Sequence, residues 1–135
     1  MSQPLLLDTC ALIWILNGDK LQSRAEDELR SAVSGQIIVS PISAWEIGQL
    51  VSKGRLRLTA DPLTWFQAAV DDGMTLAQMP ASVLVAASFL PGSLLRDPAD
   101  RIIAATARAY GYRLMTRDGP LLRFAAEGHI QAIAC

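Results

Sequence analysis

Pro4-Leu5-Leu6-Leu7-Asp8-Thr9 is the stretch from which the fold can be inferred. Three consecutive leucines between a proline and an aspartate are typical of a short strand that is buried on both faces. A second apolar run, residues 36–39, has the same character. Strands of this kind occur in parallel sheets that helices cover on both sides. The sequence therefore predicts an α/β fold with a mostly parallel central sheet.

Helical patterns alternate with the strands along the chain. Predicted strands cover residues 5–7, 36–39, 74–79, 113–116 and 130–134. Predicted helices run over residues 9–16 with Thr9 as cap, from a Ser23/Glu26 capping box toward Gly35, from Pro41 toward Gly54, from Pro62 to 72, and over 81–90, 99–110 and 120–126. This alternation indicates a three-layer sandwich, and we expect residues 1–135 to form one domain.

Composition excludes several classes of protein. Thirteen acidic residues face twelve basic ones, for a formal net charge of -1, so no bulk charge draws the chain to a polyanion. One histidine and two cysteines remove most routes to a His/Cys zinc site, a Ser-His-Asp triad or a disulfide framework. No basic leader or membrane-length apolar run is present in the sequence, so we expect a cytoplasmic protein with no membrane partner.

Several acidic residues are predicted to meet at one edge of the sheet. Asp8 and Asp118 each follow a strand, and the carboxyl ends of parallel strands share an edge. Asp97 and Asp100 open a helix whose amino end is predicted to face that same edge. Glu46 is a single acid within an otherwise apolar helical stretch, which indicates that its side chain is directed at a specific partner or site.

Carboxylates at close range raise one another's pKa unless a cation neutralises them. With oxygen ligands and no histidine nearby, the favoured cation is hard, Mg²⁺ or Mn²⁺. Such a site can activate water and hold the oxygens of a phosphodiester. The chemistry it supports is hydrolysis of a nucleic-acid backbone.

Each acid also has a purely structural interpretation. Asp97 is typical of a helix N-cap, Asp118 of a turn, and Asp100 of a residue that complements the helix dipole. Asp8 and Glu46 are harder to explain in this way, because unpaired charges among apolar residues are costly. Spacing alone leaves the shared site open.

Four segments together resemble the PIN-domain ribonucleases, specifically the VapC toxins of type II toxin-antitoxin modules. They are Leu5-Leu6-Leu7-Asp8-Thr9, Ser43-Ala44-Trp45-Glu46-Ile47, Asp97-Pro98-Ala99-Asp100-Arg101-Ile102-Ile103-Ala104-Ala105-Thr106-Ala107 and Leu114-Met115-Thr116-Arg117-Asp118. The resemblance implies a metal-dependent endoribonuclease that is inhibited by a cognate VapB-type antitoxin and forms a homodimer.

The resemblance also implies roles for individual residues. Matched to the family pattern, the catalytic and metal-binding acids are Asp8, Glu46, Asp100 and Asp118, holding Mg²⁺ or Mn²⁺. Supporting groups beside them are Thr9, Asp97 and Thr116. We expect contacts with RNA phosphates from Arg101, Arg117, Lys53 and Arg55.

Further expectations concern apolar residues. Trp14, Trp45 and Trp65 are predicted to lie mostly in the core. Because half of the residues are apolar, we expect a groove for the antitoxin, with residues 12–16 and 47–51 as the candidate helices.

Two other functions stay open on the sequence. One is a catalytically silent PIN-like binding module, against which the four acids argue. The other is a phosphorelay receiver, which is disfavoured because receivers place an acidic pair after the first strand and a lysine near the end. Here Asp8 is followed by Thr9-Cys10, and no lysine follows Lys53.

Overall fold

A computed structural model describes residues 3–92 and 95–135 of the chain. The strands are β1 Leu5–Leu7, β2 Ile37–Val39, β3 Thr75–Leu76, β4 Arg113–Thr116 and β5 Gln131–Ala134. The α-helices are α1 Thr9–Leu16, α2 Ser23–Ser31, α3 Pro41–Ser52, α4 Pro62–Asp71, α5 Ala81–Ala86, α6 Pro98–Tyr110 and α7 Gly119–Ala126. A 3-10 turn, Ala87–Phe89, continues α5.

The five strands form one sheet in the order β3-β2-β1-β4-β5, and every recorded strand pair is parallel. In the centre, Leu6 of β1 pairs with Ile38 on one side and with Leu114 on the other. The predicted α/β sandwich is therefore confirmed, with a sheet that is parallel throughout rather than mostly so.

The sheet divides the core into two layers. Leu5 and Leu7 pack on the side of α1, α2 and α4, whereas Leu6 packs against α6 and α7 on the opposite side. Successive strand residues point to opposite faces, so a strand covered on both sides needs an apolar residue at every position. This is why the leucine run is continuous.

The starts of the helices differ in part from the prediction. Asp8, not Thr9, caps α1, because its Oδ1 accepts the Ala11 N–H at 2.8 Å and Thr9 is already the first helical residue. The predicted Ser23/Glu26 capping box is also wrong. Helix α2 starts at Ser23 itself, with Gln22 as a cap that makes no side-chain bond, and Glu26 instead accepts the Leu21 N–H.

Two element lengths were also overestimated. Strand β3 has two residues, Thr75 and Leu76, because its pairing extends only along Ile38 and Val39 of the short strand β2. The predicted helix over residues 81–90 keeps α-helical geometry only to Ala86 before it tightens into the 3-10 turn.

The prediction that the tryptophans lie mostly in the core is wrong for Trp45, which is 55% exposed. Trp14 and Trp65 are partly buried and pack against the core layer that contains Leu5 and Leu7. In the described ranges, no helix is both long enough and apolar enough to cross a bilayer.

The central strand gives a test of this packing. Leu6 lies on the central strand β1 between β2 and β4, and it is fully buried against α6. We therefore expect Leu6→Ala to lower the free energy of unfolding by about 2–5 kcal/mol. Val33, which is 67% exposed, supplies the matched control, and Val33→Ala is expected to change it by less than about 0.5 kcal/mol. Urea unfolding measures both, and equal effects would contradict the assigned core.

Candidate active site

The carboxyl edge of the sheet gathers the acidic residues. Asp8 follows β1 and Asp118 follows β4, and these two strands are neighbours. Asp118 caps α7 by accepting the Leu121 N–H at 3.0 Å. Asp97 caps α6 in the same way through the Asp100 N–H at 3.0 Å. Three of the acids thus begin helices at this edge, so the structural interpretation and the shared site are compatible.

Thr116, the last residue of β4, joins the two strand-end acids. Its buried hydroxyl donates to Asp8 Oδ2 and accepts the Asp118 N–H at 3.0 Å. Asp8 itself is only 5% exposed, and its two carboxylate oxygens accept from different donors. These two hydrogen bonds hold the carboxylate of Asp8 in one orientation.

Glu46 is brought to this edge by α3. The Thr9 hydroxyl donates to Glu46 Oε1 and lies 2.9 Å from Ser43 Oγ. Ser43 is fully buried and stands one helical turn before Glu46. Sequence reasoning assigned no role to Ser43, although its i, i+3 spacing from Glu46 places both on one helix face.

The negative charges of neighbouring acids contribute to raised pKa values at this edge. Burial, followed by the charges of Asp97, Asp118, Glu46 and Asp8, raises the pKa of Asp100 to about 8. Burial also raises the pKa of Asp8 and of Glu46, partly offset by hydrogen bonds from Thr116 and Thr9 respectively.

Cys10, in the first turn of α1, is affected by the charges of the same acids. Burial and the charges of Asp8, Glu46, Asp100 and Asp118 raise the pKa of its thiol to about 11. All four predicted acids therefore lie within electrostatic range of one side chain. The structure brings the predicted quartet together, and Asp97 stands beside it as a fifth carboxylate.

The donor set is made of carboxylate and hydroxyl oxygens, which suits a hard divalent cation. As the side chains stand in residues 3–92 and 95–135, no three His, Cys, Asp or Glu groups are close enough together to hold a metal ion. A cation beside carboxylates favours their ionised form and offsets their mutual repulsion. The chemistry of the residues thus fits Mg²⁺ or Mn²⁺ by ligand type.

The predicted substrate-binding arginines have defined contacts. Arg101 donates from Nε to the Ala87 carbonyl at 2.8 Å and from a terminal nitrogen to the Leu95 carbonyl at 2.6 Å, so its guanidinium joins two backbone segments. The Arg117 guanidinium lies 3.5 Å from the centroid of the Trp14 ring and donates to the Cys135 carbonyl at 2.9 Å.

Lys53 and Arg55 stand apart from these groups. Both are exposed and follow the end of α3. Seven residues separate Lys53 from Glu46, which corresponds to about 10 Å along a helix. A bound RNA strand would therefore have to extend from the acidic edge along α3 to reach them.

The segments predicted to form an antitoxin groove are largely committed to the core. Leu12 and Ile47 are fully buried, and Leu50 and Val51 pack against the same core layer. Leu16 is 37% exposed and borders a groove with Trp65, Ala68 and Ala69 of α4. The accessible apolar surface in this region thus lies between α1 and α4.

The PIN domain model matches residues 5–127, which include all four predicted acids. The chain belongs to the PIN-domain family. Among curated relatives, ribonuclease VapC22 of Mycobacterium tuberculosis is 34% identical over 118 residues, covering 87% of this chain and 88% of that protein. The chain is thus a homologue of the VapC ribonucleases.

Solved structures share the PIN-like fold at lower identity. VapBC2 from Rickettsia felis, crystallised with a DNA fragment from its promoter, aligns with a TM-score of 0.70 and 17% identity over 98% of both chains. A toxin-antitoxin complex from Klebsiella pneumoniae aligns with a TM-score of 0.64 and 19% identity over 96% of this chain and 95% of that one.

The strand order also separates this PIN domain from a phosphorelay receiver. Receivers have the doubly wound order 2-1-3-4-5. Here β2 lies between β3 and β1, which gives the order 3-2-1-4-5. The receiver alternative is therefore excluded by topology as well as by family.

The raised acid pKa values predict how stability depends on pH. Between the ordinary pKa of 3.8 and about 8, folded Asp100 keeps a proton that the unfolded chain has released, so stability falls as pH rises through this window. With EDTA present, we expect Tm to drop by roughly 3–5 °C from about pH 5 to pH 8, after allowing for solvent screening.

The variant Asp100→Asn is expected to flatten this dependence and to be the more stable protein at pH 8. Asp27→Asn, which removes an exposed charge on α2, should leave the slope unchanged. Thermal unfolding followed by circular dichroism measures both variants. A slope equal to wild type in Asp100→Asn would contradict the assigned electrostatics.

Alkylation of Cys10 gives an independent measure of the field. Since the thiolate is the reactive form, a pKa of about 11 predicts reaction with iodoacetamide at pH 8 roughly 10- to 100-fold slower than that of a free thiol. Asp100→Asn should accelerate it and Asp27→Asn should not. Mass spectrometry of the Cys10 peptide gives the rate, and no acceleration in Asp100→Asn would refute the proximity.

Proposed function

We propose that the chain is a metal-dependent endoribonuclease and the toxin of a VapBC-type module, hydrolysing phosphodiester bonds of RNA. The observation that carries the proposal is the placement of acids at one sheet edge: Asp8 and Asp118 follow the neighbouring strands β1 and β4, and the charges of Asp118, Glu46 and Asp8 help to raise the pKa of Asp100. An assembly of this kind destabilises the fold unless a cation neutralises it. Membership of the PIN-domain family and homology to the VapC ribonucleases support RNA hydrolysis as the reaction. The proposed location is the cytoplasm, where the RNA substrate is found.

Asp8, Glu46, Asp100 and Asp118 are the residues proposed to hold Mg²⁺ or Mn²⁺. When bound, such an ion would supply activation of a water molecule and positive charge that stabilises the reacting phosphodiester. Thr116 and Thr9 keep the carboxylates of Asp8 and Glu46 oriented. Asp97 fixes the start of α6, and with it the place of Asp100.

RNA phosphates are proposed to meet basic groups on both sides of these acids. The guanidinium of Arg117 is held against Trp14, and its charge acts on Asp8, whose pKa it helps to lower against the effect of burial. Lys53 and Arg55 are proposed to supply positive charge to phosphates further along the bound RNA strand. Arg101, two of whose five N–H donors bind backbone carbonyls, is proposed mainly to fix the chain segment that leads into α6 and less to bind phosphate.

A cognate antitoxin is the proposed protein partner, since solved structures of this fold include toxin-antitoxin complexes. The groove of Leu16, Trp65, Ala68 and Ala69 is bordered by Asp71 and Asp72. An apolar helix carrying basic residues complements such a groove. The antitoxin is therefore proposed to dock there with a basic, amphipathic segment.

A homodimer is proposed on a different surface. Leu84, Val85 and Phe89 lie on α5 and its 3-10 turn and are 39%, 60% and 81% exposed. Exposed apolar side chains that lie this near one another in sequence are suited to an isologous contact between two copies.

The proposed chemistry is tested on purified protein with structured RNA. We expect cleavage that requires Mg²⁺ or Mn²⁺, stops with EDTA, and falls by about 100-fold or more in Asp8→Asn and Asp100→Asn. Asp61→Asn is the matched control, because Asp61, like Asp8, caps a helix through its side chain, but it does so at the start of α4. It should cleave like wild type.

Two outcomes would decide against the proposal. Cleavage retained in Asp8→Asn and Asp100→Asn would identify a contaminating nuclease or a different site. A folded protein that binds its antitoxin but never cleaves RNA would favour the silent binding module.

A further inference from the structure

We propose that Ser43 is a positioning residue for Glu46 and acts through the hydroxyl of Thr9. The inference rests on the proposed metal-dependent nuclease and adds to it a residue buried behind the acids. Three side chains carry it: Ser43 and Glu46 on α3, and Thr9 at the first position of α1.

The hydroxyl protons available fix which group donates in each of the two hydrogen bonds that link Ser43, Thr9 and Glu46, here called the hydroxyl relay. An ionised carboxylate only accepts hydrogen bonds, so the single hydroxyl proton of Thr9 is used in its bond to Glu46 Oε1. The 2.9 Å contact between Thr9 Oγ1 and Ser43 Oγ must then be donated by Ser43. The chain of bonds runs from Ser43 to Thr9 to Glu46.

Burial makes this relay strong and specific. Ser43 is 0% exposed and Thr9 is 4% exposed, so water does not compete for either hydroxyl. Donated bonds in a row polarise one another, and an oxygen that already accepts a hydrogen bond is a better donor. Thr9 thus holds the charged form of Glu46 more firmly than an isolated hydroxyl would.

The relay also fixes geometry. Ser43 precedes Glu46 by three residues, so both side chains leave the same face of α3. Thr9 directly follows Asp8, which caps α1. Through Thr9, the position of Glu46 on α3 is tied to the position of Asp8 at the end of β1, two groups that otherwise belong to separate elements.

Without the Ser43 hydroxyl, Thr9 loses its fixed rotamer and Glu46 loses part of its orientation. Mutation of a group that hydrogen-bonds to a metal ligand typically lowers metal affinity by 10- to 100-fold. Ser43 contacts Glu46 only through Thr9, so we expect an effect at the lower end of this range. We therefore expect Ser43→Ala to weaken binding of Mn²⁺ about tenfold while cleavage at saturating Mn²⁺ changes less.

The test measures Mn²⁺ binding to the full chain without RNA, by calorimetry and by the electron paramagnetic resonance of free Mn²⁺. The set is wild type, Ser43→Ala, Thr9→Val and the double variant. If Ser43 acts through Thr9, adding Ser43→Ala to Thr9→Val has no further effect on the Mn²⁺ dissociation constant.

Ser40→Ala is the control for packing and helix stability. Ser40 is on the same helix start, is 1% exposed, and caps α3 by accepting the Ile42 N–H at 3.1 Å. This variant should lower Tm without changing Mn²⁺ affinity. Ser43→Cys, which keeps the side-chain volume but donates poorly, replaces Ser43→Ala if the alanine variant does not fold.

Mn²⁺ affinity equal to wild type in Ser43→Ala or Ser43→Cys, or an additive loss in the double variant, would overturn the role of Ser43 while leaving the nuclease intact. A wild-type protein that binds no Mn²⁺ would overturn both the metal site and this inference.

Discussion

Mutual repulsion among carboxylates at the carboxyl edge of the sheet is the constraint around which this molecule is organised. Asp8, Glu46 and Asp100 are each removed from water to a degree that raises their pKa. The fold offsets this cost in two ways. Hydroxyl groups donate to the charged oxygens of Asp8 and Glu46. The amino ends of α1, α6 and α7, with their partial positive charge, begin at the same edge.

That second compensation follows directly from the parallel sheet. In a βα unit, the carboxyl end of a strand leads into the amino end of a helix, so acids placed there serve as caps and as site residues together. Asp8 and Asp118 illustrate the point, since one carboxylate oxygen of each accepts a helix N–H. Stability and site geometry are therefore coupled in the same side chains.

The fold was largely predictable because its signals are local. The Leu5-Leu6-Leu7 run and the Asp-Pro and Ser-Pro helix starts depend on neighbouring residues alone, and they placed the main elements within a few residues. The errors occur where tertiary context decides. Strand β3 is short because β2 is short, Trp45 is exposed although its helix is apolar, and Ser23 is helical rather than a cap.

Convergence of the acids was predictable from the parallel topology, but the hydroxyl relay was not. Ser43 and Thr9 are 34 positions apart, and no pattern along the sequence marks their contact. The same holds for Arg101, whose hydrogen bonds to the Ala87 and Leu95 carbonyls have no signal in the sequence. Such contacts depend on rotamers and packing rather than on residue type.

The bond from Thr116 to Asp8 joins residues 108 positions apart, across two central strands. During translation, Asp8 leaves the ribosome well before Thr116, which is synthesised 108 positions later, and before Asp118. Strand β1 has no β4 neighbour until then. For a protein proposed to cut RNA, this ordering means that the proposed site is not assembled until the ribosome has synthesised the chain through Asp118.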